Sequence, residues 1–391
     1  MRITGVNKSF DVTVDLVGSK SESNRALMIG YYGGFTPRVK HISDSDDTKL
    51  LTEILNGING INDINAVKEI DCQNAGTVLR FLATALSFRP GDWILTGSDR
   101  MLQRPVGDLV DALRTMGADI EYMGQEGFPP LKIHAVGTRR ATSDVHVNIT
   151  RSSQFASSIL LAMPPIIHLD GDLSSLPYID MTIDVMKKFG IDIHREGRDI
   201  SIKPSEYQDI EYTVESDWTC ASYWYEIVAF SDNGRARLRN LHLNSKQGDA
   251  IVAKWFEQFG VKSVQDGNDI IIEKIRKIFF NDLSFDFTNN PDLYPTIAAT
   301  CAGLGIKGDF TGLHNLKYKE SDRVAAMTTE LTRGTDCVCP PVFDSHDDHR
   351  IAMSLAPLAM KIGAIEINNA DVVSKSYPNF WYEFQKIIPN Q

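Results

Sequence analysis

The chain has 391 residues, 42% hydrophobic and 23% charged, a size and balance that suit two folded domains. Its formal net charge of −11 argues against broad nucleic-acid or anionic-membrane surfaces, so basic residues that meet an anionic ligand must be gathered locally. No apolar run reaches the ~18 residues needed to cross a bilayer, and Cys72, Cys220, Cys301, Cys337 and Cys339 offer neither a disulfide framework nor zinc spacing.

The opening Met1-Arg2-Ile3-Thr4-Gly5-Val6 reads as a strand without an apolar signal core, so the expected location is the cytoplasm. Gly18-Ser19-Lys20-Ser21-Glu22-Ser23-Asn24-Arg25 reads as a loop that becomes a helix. A serine can cap its first turn. Lys20 and Arg25 add full charges to the partial positive charge of the helix start, which suits a phosphate or carboxylate. A solvated, capped helix start explains the same letters, so the rest of the chain has to decide.

Beyond this point a long repeat emerges. Amphipathic helical stretches end at Gly117, Gly190, Gly260 and Gly334, which lie 73, 70 and 74 residues apart, each leading into a short strand-like segment. A shorter copy ends at Gly57, and Phe380-Trp381-x-x-Phe384 closes the series. Each glycine is expected to stop its helix in the left-handed conformation. A second helix type, small and apolar throughout as a buried helix is, begins near Ser19, Asn74, Ser152, Cys220, Pro291 and Asp348. Six copies of one α/β unit are the expectation, with Cys337-x-Cys339 packed in a strand.

The chemistry-bearing residues collect at the starts of the buried helices. Asn74-Ala75-Gly76-Thr77 precedes Arg80, and Gly76 lets a ligand approach the backbone. Arg151-Ser152-Ser153-Gln154, Pro291-Asp292 and Asp347-Asp348-His349-Arg350 open three others, while Arg104-Pro105 and Lys375-Ser376-Tyr377-Pro378 precede amphipathic ones. In Asn315-Leu316-Lys317-Tyr318-Lys319-Glu320-Ser321-Asp322-Arg323, a helix starting at Lys319 would put Arg323 on its face, four residues on. Lys319 and Glu320 side by side could supply a proton donor and an acceptor. Gly303-x-Gly305-x-x-Gly308 follows a helix and leads into a strand, the reverse of a dinucleotide site. The run from Asp344 to His349 lacks any established metal spacing.

Taken together and in order, these pieces resemble the enolpyruvyl transferase family, in the branch acting on shikimate 3-phosphate. Ser152-Ser153-Gln154-Phe155, Pro177-Tyr178-Ile179-Asp180 and Asp348-His349-Arg350-Ile351-Ala352-Met353 belong to the match, which spans almost the whole chain. The resemblance implies an α/β fold of two similar domains, each of three βαβαββ units (an inside-out α/β barrel), connected by a hinge that closes over the substrates. The domains would be 19–214, and 1–18 plus 215–391. It implies transfer of the enolpyruvyl group of phosphoenolpyruvate to the 5-hydroxyl of shikimate 3-phosphate, in the route to chorismate and the aromatic amino acids. No metal or organic cofactor is implied, and neither nucleic acid nor membrane; a monomer is expected. By the same resemblance phosphoenolpyruvate would contact Lys20, Gly76, Arg104, Gln154, Arg323, Arg350 and Lys375. Shikimate 3-phosphate would contact Lys20, Ser21, Arg25, Ser152, Ser153, Gln154, Ser175, Tyr178, Asp292, Asn315 and Lys319. Asp292, Glu320 and Lys319 would carry the proton transfers.

One segment departs from the family pattern. Glu215-Ser216-Asp217-Trp218 stands where a glycine usually follows the glutamate, which loads the crossover with side chains. The sister branch acting on UDP-N-acetylglucosamine typically carries a reactive cysteine on a loop of the first domain, and residues 114–137 hold none. A non-catalytic anion binder would be expected to lack Asp292 or Glu320. A same-fold RNA-end-processing enzyme would suit a basic surface, which this chain does not have.

Overall fold

The computed structural model describes all residues except 60–66, 136, 138–143, 204, 276–280, 336–339 and 390–391. Cys337 and Cys339 therefore lie outside the described residues. The chain forms two compact units: unit 1 comprises residues 1–19, 41–46 and 215–391, and unit 2 comprises 20–40 and 47–214. The short return of 41–46 into unit 1 has no counterpart in the expected division at 19 and 215. Each unit has its own continuous apolar core.

Among the described residues the repeating element is a pair of parallel strands, and six such pairs occur. In three of them the chain adds an antiparallel hairpin, giving a four-stranded sheet. One sheet runs Lys68–Asp71, Gly91–Thr96, Leu131–Ala135, Asp119–Tyr122 in spatial order. A second, Val145–Asn148, Ile166–Asp170, Asp199–Ile202, Ile193–Glu196, has the same topology, and a third runs Ser9–Val14, Asn233–Leu238, Asp269–Lys274, Val261–Asp266. Strict inside–outside alternation in Leu131–Ala135 and Ile365–Asn368 shows one face of each strand on the core.

A buried helix accompanies each parallel pair: Lys20–Gly33, Gly76–Ser87 and Gln154–Leu161 in unit 2, and Trp218–Phe230, Tyr294–Leu304 and His349–Leu355 in unit 1. All thirteen residues of Trp218–Phe230 are buried, which explains why its sequence shows no polar stripe. Hydroxyls stitch the three helices of unit 1 together. Ser222 Oγ lies 3.1 Å from Thr296 Oγ1, which lies 3.3 Å from Ser354 Oγ.

The glycine stops divide into two classes. Gly117, Gly190 and Gly260 have the expected positive φ. Gly57 and Gly334 do not end their helices, because Asp46–Asn59 and Arg323–Thr335 run through them. At Gly334 the missing side chain makes room instead: a Cβ would lie 3.3 Å from the Phe343 ring. The unusual crossover segment is accommodated by bonding. Ser216 Oγ donates to Arg239 O at 2.8 Å, the Trp218 indole N–H donates to Glu215 Oε1 at 3.1 Å, and Asp217 caps the helix through Cys220 N.

Candidate active site

In unit 2 the helix starts are wired to one another. Lys20 Nζ sits 3.0 Å from Asp47 Oδ2, so the ammonium is held close to the helix it opens. Arg25 is almost wholly buried and spends four of its five N–H groups inside the unit. Nε donates to Thr182 Oγ1 at 2.7 Å, Nη1 to Ser21 O at 2.8 Å, and Nη2 to Ser157 Oγ at 3.1 Å and Tyr178 O at 3.0 Å. Burial lowers its pKa to about 10, a cost offset by these bonds. Gly76 opens its helix directly beneath the Arg104 guanidinium. A Cβ there would lie 2.8 Å from Arg104 Cζ and both Nη atoms, so only glycine permits this stacking. Gln154 is fixed from two sides, accepting from Arg80 Nη1 at 2.5 Å and donating to Thr77 Oγ1 at 3.0 Å. Ser152 Oγ accepts from Gln154 N, whereas the neighbouring Ser153 makes no side-chain cap bond. Ser175 is buried, left-handed at φ 56°, and likewise makes no cap bond. That conformation is uncommon for a non-glycine residue and is held by the surrounding fold.

Unit 1 gathers a denser charge network around Arg323. Its Nε reaches Asp348 Oδ2 at 2.8 Å, its Nη1 reaches Asp292 Oδ1 at 2.7 Å, and its Nη2 reaches Glu320 Oε2 at 2.8 Å. Arg350 Nη2 takes the other oxygen of Asp292 at 2.8 Å, and Lys319 Nζ lies 3.4 Å from Asp292 Oδ1. Asp348 also caps its own helix, accepting from Arg350 N at 3.0 Å, and accepts from Ser321 Oγ at 3.1 Å. In the same unit, Asn315 and Lys375 are buried at the start and end of short 3-10 turns.

The electrostatics sort these groups. Burial alone would raise the pKa of Asp292, but Arg350, Lys319 and Arg323 outweigh it and hold the carboxyl well below its ordinary value. Lys319 is pushed down by burial, with Arg323 and Arg350 adding to the effect against Asp292 and Glu320. Burial opposes the charge on Arg323, yet Asp348, Glu320 and Asp292 more than compensate and raise its pKa. Asp249 moves the other way: burial and then Asp292 raise it to about 6. Its carboxylate contacts Thr219 Oγ1 and accepts from Asn290 Nδ2 at 3.2 Å.

One sequence expectation is corrected here. Lys319 does not start a helix. It follows the 3-10 turn Leu316–Tyr318 in extended conformation, and the helix begins at Arg323. The two cations meet over Asp292, not along a helix face. Within the acidic–histidine run, Asp348 serves Arg323 and His346 pairs with Glu330 at 2.9 Å. Three participants had not been singled out: Asp47, Asp249, and Asp348 as a partner of Arg323. Asp348 carried a local signal as the cap residue of its helix; Asp47 and Asp249 carried none.

The family profile of EPSP synthase (3-phosphoshikimate 1-carboxyvinyltransferase) matches residues 6–384. The chain belongs to the EPSP synthase family. A 3-phosphoshikimate 1-carboxyvinyltransferase of Bacteroides fragilis (strain YCH46) is 37% identical over 398 residues, covering 96% of this chain and 94% of that protein. Its namesake from Vibrio vulnificus (strain YJ016) is 34% identical over 415 residues, covering 96% of each. An EPSP synthase structure from Acinetobacter baumannii matches with a TM-score of 0.74 at 22% identity, over 99% of this chain and 97% of that one, which establishes the α/β fold. The chain is thus an enzyme that transfers an enolpyruvyl group, and its place is the shikimate pathway of aromatic amino-acid biosynthesis.

Proposed function

We propose that Asp292, Glu320 and Lys319 carry the proton transfers as the 5-hydroxyl of shikimate 3-phosphate adds to C2 of phosphoenolpyruvate. The hydroxyl loses its proton as the O–C2 bond forms, and C3 gains one. C3 then gives a proton up as the C2–O bond to phosphate breaks, yielding 5-enolpyruvylshikimate 3-phosphate and phosphate. The observation that carries this reading is the convergence of Arg323, Arg350 and Lys319 on Asp292. It keeps the Asp292 carboxylate ionised, at a cost in basicity, and sets beside it a lysine whose pKa is lowered, so that the hydroxyl proton can pass to this pair.

Both substrates carry a phosphate and a carboxylate, so their binding calls for several fixed cations and helix starts. Lys20, Gly76, Arg104, Gln154, Arg323, Arg350 and Lys375 are the proposed phosphoenolpyruvate contacts. Lys20, Ser21, Arg25, Ser152, Ser153, Gln154, Ser175, Tyr178, Asp292, Asn315 and Lys319 are those for shikimate 3-phosphate. Among the described residues Arg25 and Arg323 each keep one Nη1 N–H outside these internal bonds, so most of their contribution is to hold neighbours in place. The proposed state is a cytoplasmic monomer, which light scattering at catalytic concentration tests directly. A phosphate-release assay with phosphoenolpyruvate tests the reaction. Release is expected with shikimate 3-phosphate and not with UDP-N-acetylglucosamine; the opposite pattern would overturn the assignment.

A further inference from the structure

In unit 2, the helices Lys20–Gly33 and Gly76–Ser87 end beside a cavity of about 330 Å³. The first helix spans ~20 Å, so this cavity lies a helix length from Lys20. The chain builds one wall by folding back on the helix end. Phe35 N donates to Gly30 O at 3.0 Å, and a Cβ on Gly33 would lie 2.2 Å from Phe35 Cε1, so the ring occupies the space a side chain would take. Tyr31, Tyr32 and Phe88 supply further aromatic surface, with Tyr31 and Tyr32 edge-on at 5.5 Å. Ala85 leaves room on the second helix.

Among the described residues one cation lines this aromatic box. The Arg89 guanidinium lies over the Tyr31 ring, 6.0 Å from its centroid, and is tethered by Nη2 to Ile58 O at 2.9 Å. No carboxylate among the described residues pairs with it. Tyr32, which also lines the cavity, has a buried hydroxyl with no hydrogen-bond partner among the described residues.

We propose that this cavity binds a monocyclic aromatic carboxylate, its ring against the Tyr and Phe walls and its carboxylate on Arg89. The volume sits at the small end of ligand cavities, which limits the guest to one ring. Aromatic walls favour a π-faced guest over an aliphatic one of equal size. A single guanidinium matches one carboxylate in fork geometry. A dianionic phosphate is disfavoured, because the two helices present their C-terminal, partially negative ends here.

The test uses the full chain and phenylacetate, followed by ligand-observed NMR. Saturable binding is expected, with a dissociation constant on the order of 1 mM for so small a guest. Arg89→Met and Tyr31→Leu are each expected to weaken it tenfold or more while melting cooperatively and leaving enolpyruvyl transfer unchanged. Cyclohexylacetate and 2-phenylethanol, which lack the π face and the charge respectively, are expected to bind at least tenfold more weakly. Phosphoenolpyruvate with shikimate 3-phosphate is expected not to displace the probe. Absence of saturable binding, displacement by the substrates, equal binding to both folded variants, or equal binding of either control would overturn the proposal.

Discussion

Asp292→Asn is the most informative perturbation of the charge network, since it removes one negative charge and almost no volume. In the wild type that charge faces Arg323 at 2.7 Å, Arg350 at 2.8 Å and Lys319 at 3.4 Å, with only 13% of the side chain exposed. Breaking such a buried set costs about 3 kcal/mol, the lower end for an orphaned buried charge, because Glu320 and Asp348 still partner Arg323. A domain stability of ~5–15 kcal/mol absorbs that loss, so the variant folds. Turnover is expected to fall ~10²–10⁴-fold through loss of the proton acceptor. Binding of shikimate 3-phosphate should weaken only about tenfold, from one hydrogen bond to a charged group (~1.5 kcal/mol). The pH dependence has a definite sign. The folded pKa of Asp292 lies well below 3.8, so its stabilisation is present above that value and lost as pH falls through the folded pKa. The melting gap between wild type and variant should therefore narrow as the buffer is taken below pH ~4. Steady-state kinetics with independent binding titrations check the first claim and calorimetry the second. Equal losses in kcat and in binding would refute the acid–base role. A melting gap that widens in acid would refute the electrostatic reasoning.

Three further outcomes are expected. Gly76→Ala should displace the Arg104 guanidinium and raise KM for phosphoenolpyruvate roughly tenfold or more, with a smaller effect on kcat, measured by initial rates. Glu226 is wholly buried in Trp218–Phe230, neither carboxyl oxygen has a partner among the described residues, and burial raises its pKa well above 4.5. It binds its proton more tightly folded than unfolded, so stability should decline as pH rises from ~4.5 through the folded value, and Glu226→Gln should abolish that decline in thermal melts. Buried Cys72, Cys220 and Cys301 should resist thiol reagents in the native enzyme, Cys301 with its pKa raised to about 12, and label only on unfolding, as peptide mass spectrometry would show.

The helix plan was legible because burial leaves a compositional trace. A helix sealed on every side, such as Trp218–Phe230, has no place for a polar stripe, and its small and apolar letters announce it. The anion-binding starts were legible for a related reason: caps and cations must adjoin the first turn to act on it. Glycine was a less faithful guide. Gly117 and Gly190 stop helices by left-handed conformation, while Gly334 serves the packing of Phe343, and the letter is the same in both roles.

Sequence by itself thus determined the sixfold α/β plan, the family, and the types of side chain available for the chemistry, since these follow from local periodicity and short motifs. Only the tertiary structure decided what those side chains do to one another. Lys319 and Arg323 meet across Asp292 because an extended residue and a helix start bring them there, where a continuous helix would have set them side by side. Asp249 gains its raised pKa from burial beside Asp292, 43 residues on in the chain. The physical reason is range: capping and periodicity act within a turn or two of backbone, whereas desolvation and charge pairing act through space, between residues whose separation in sequence carries no mark of their contact.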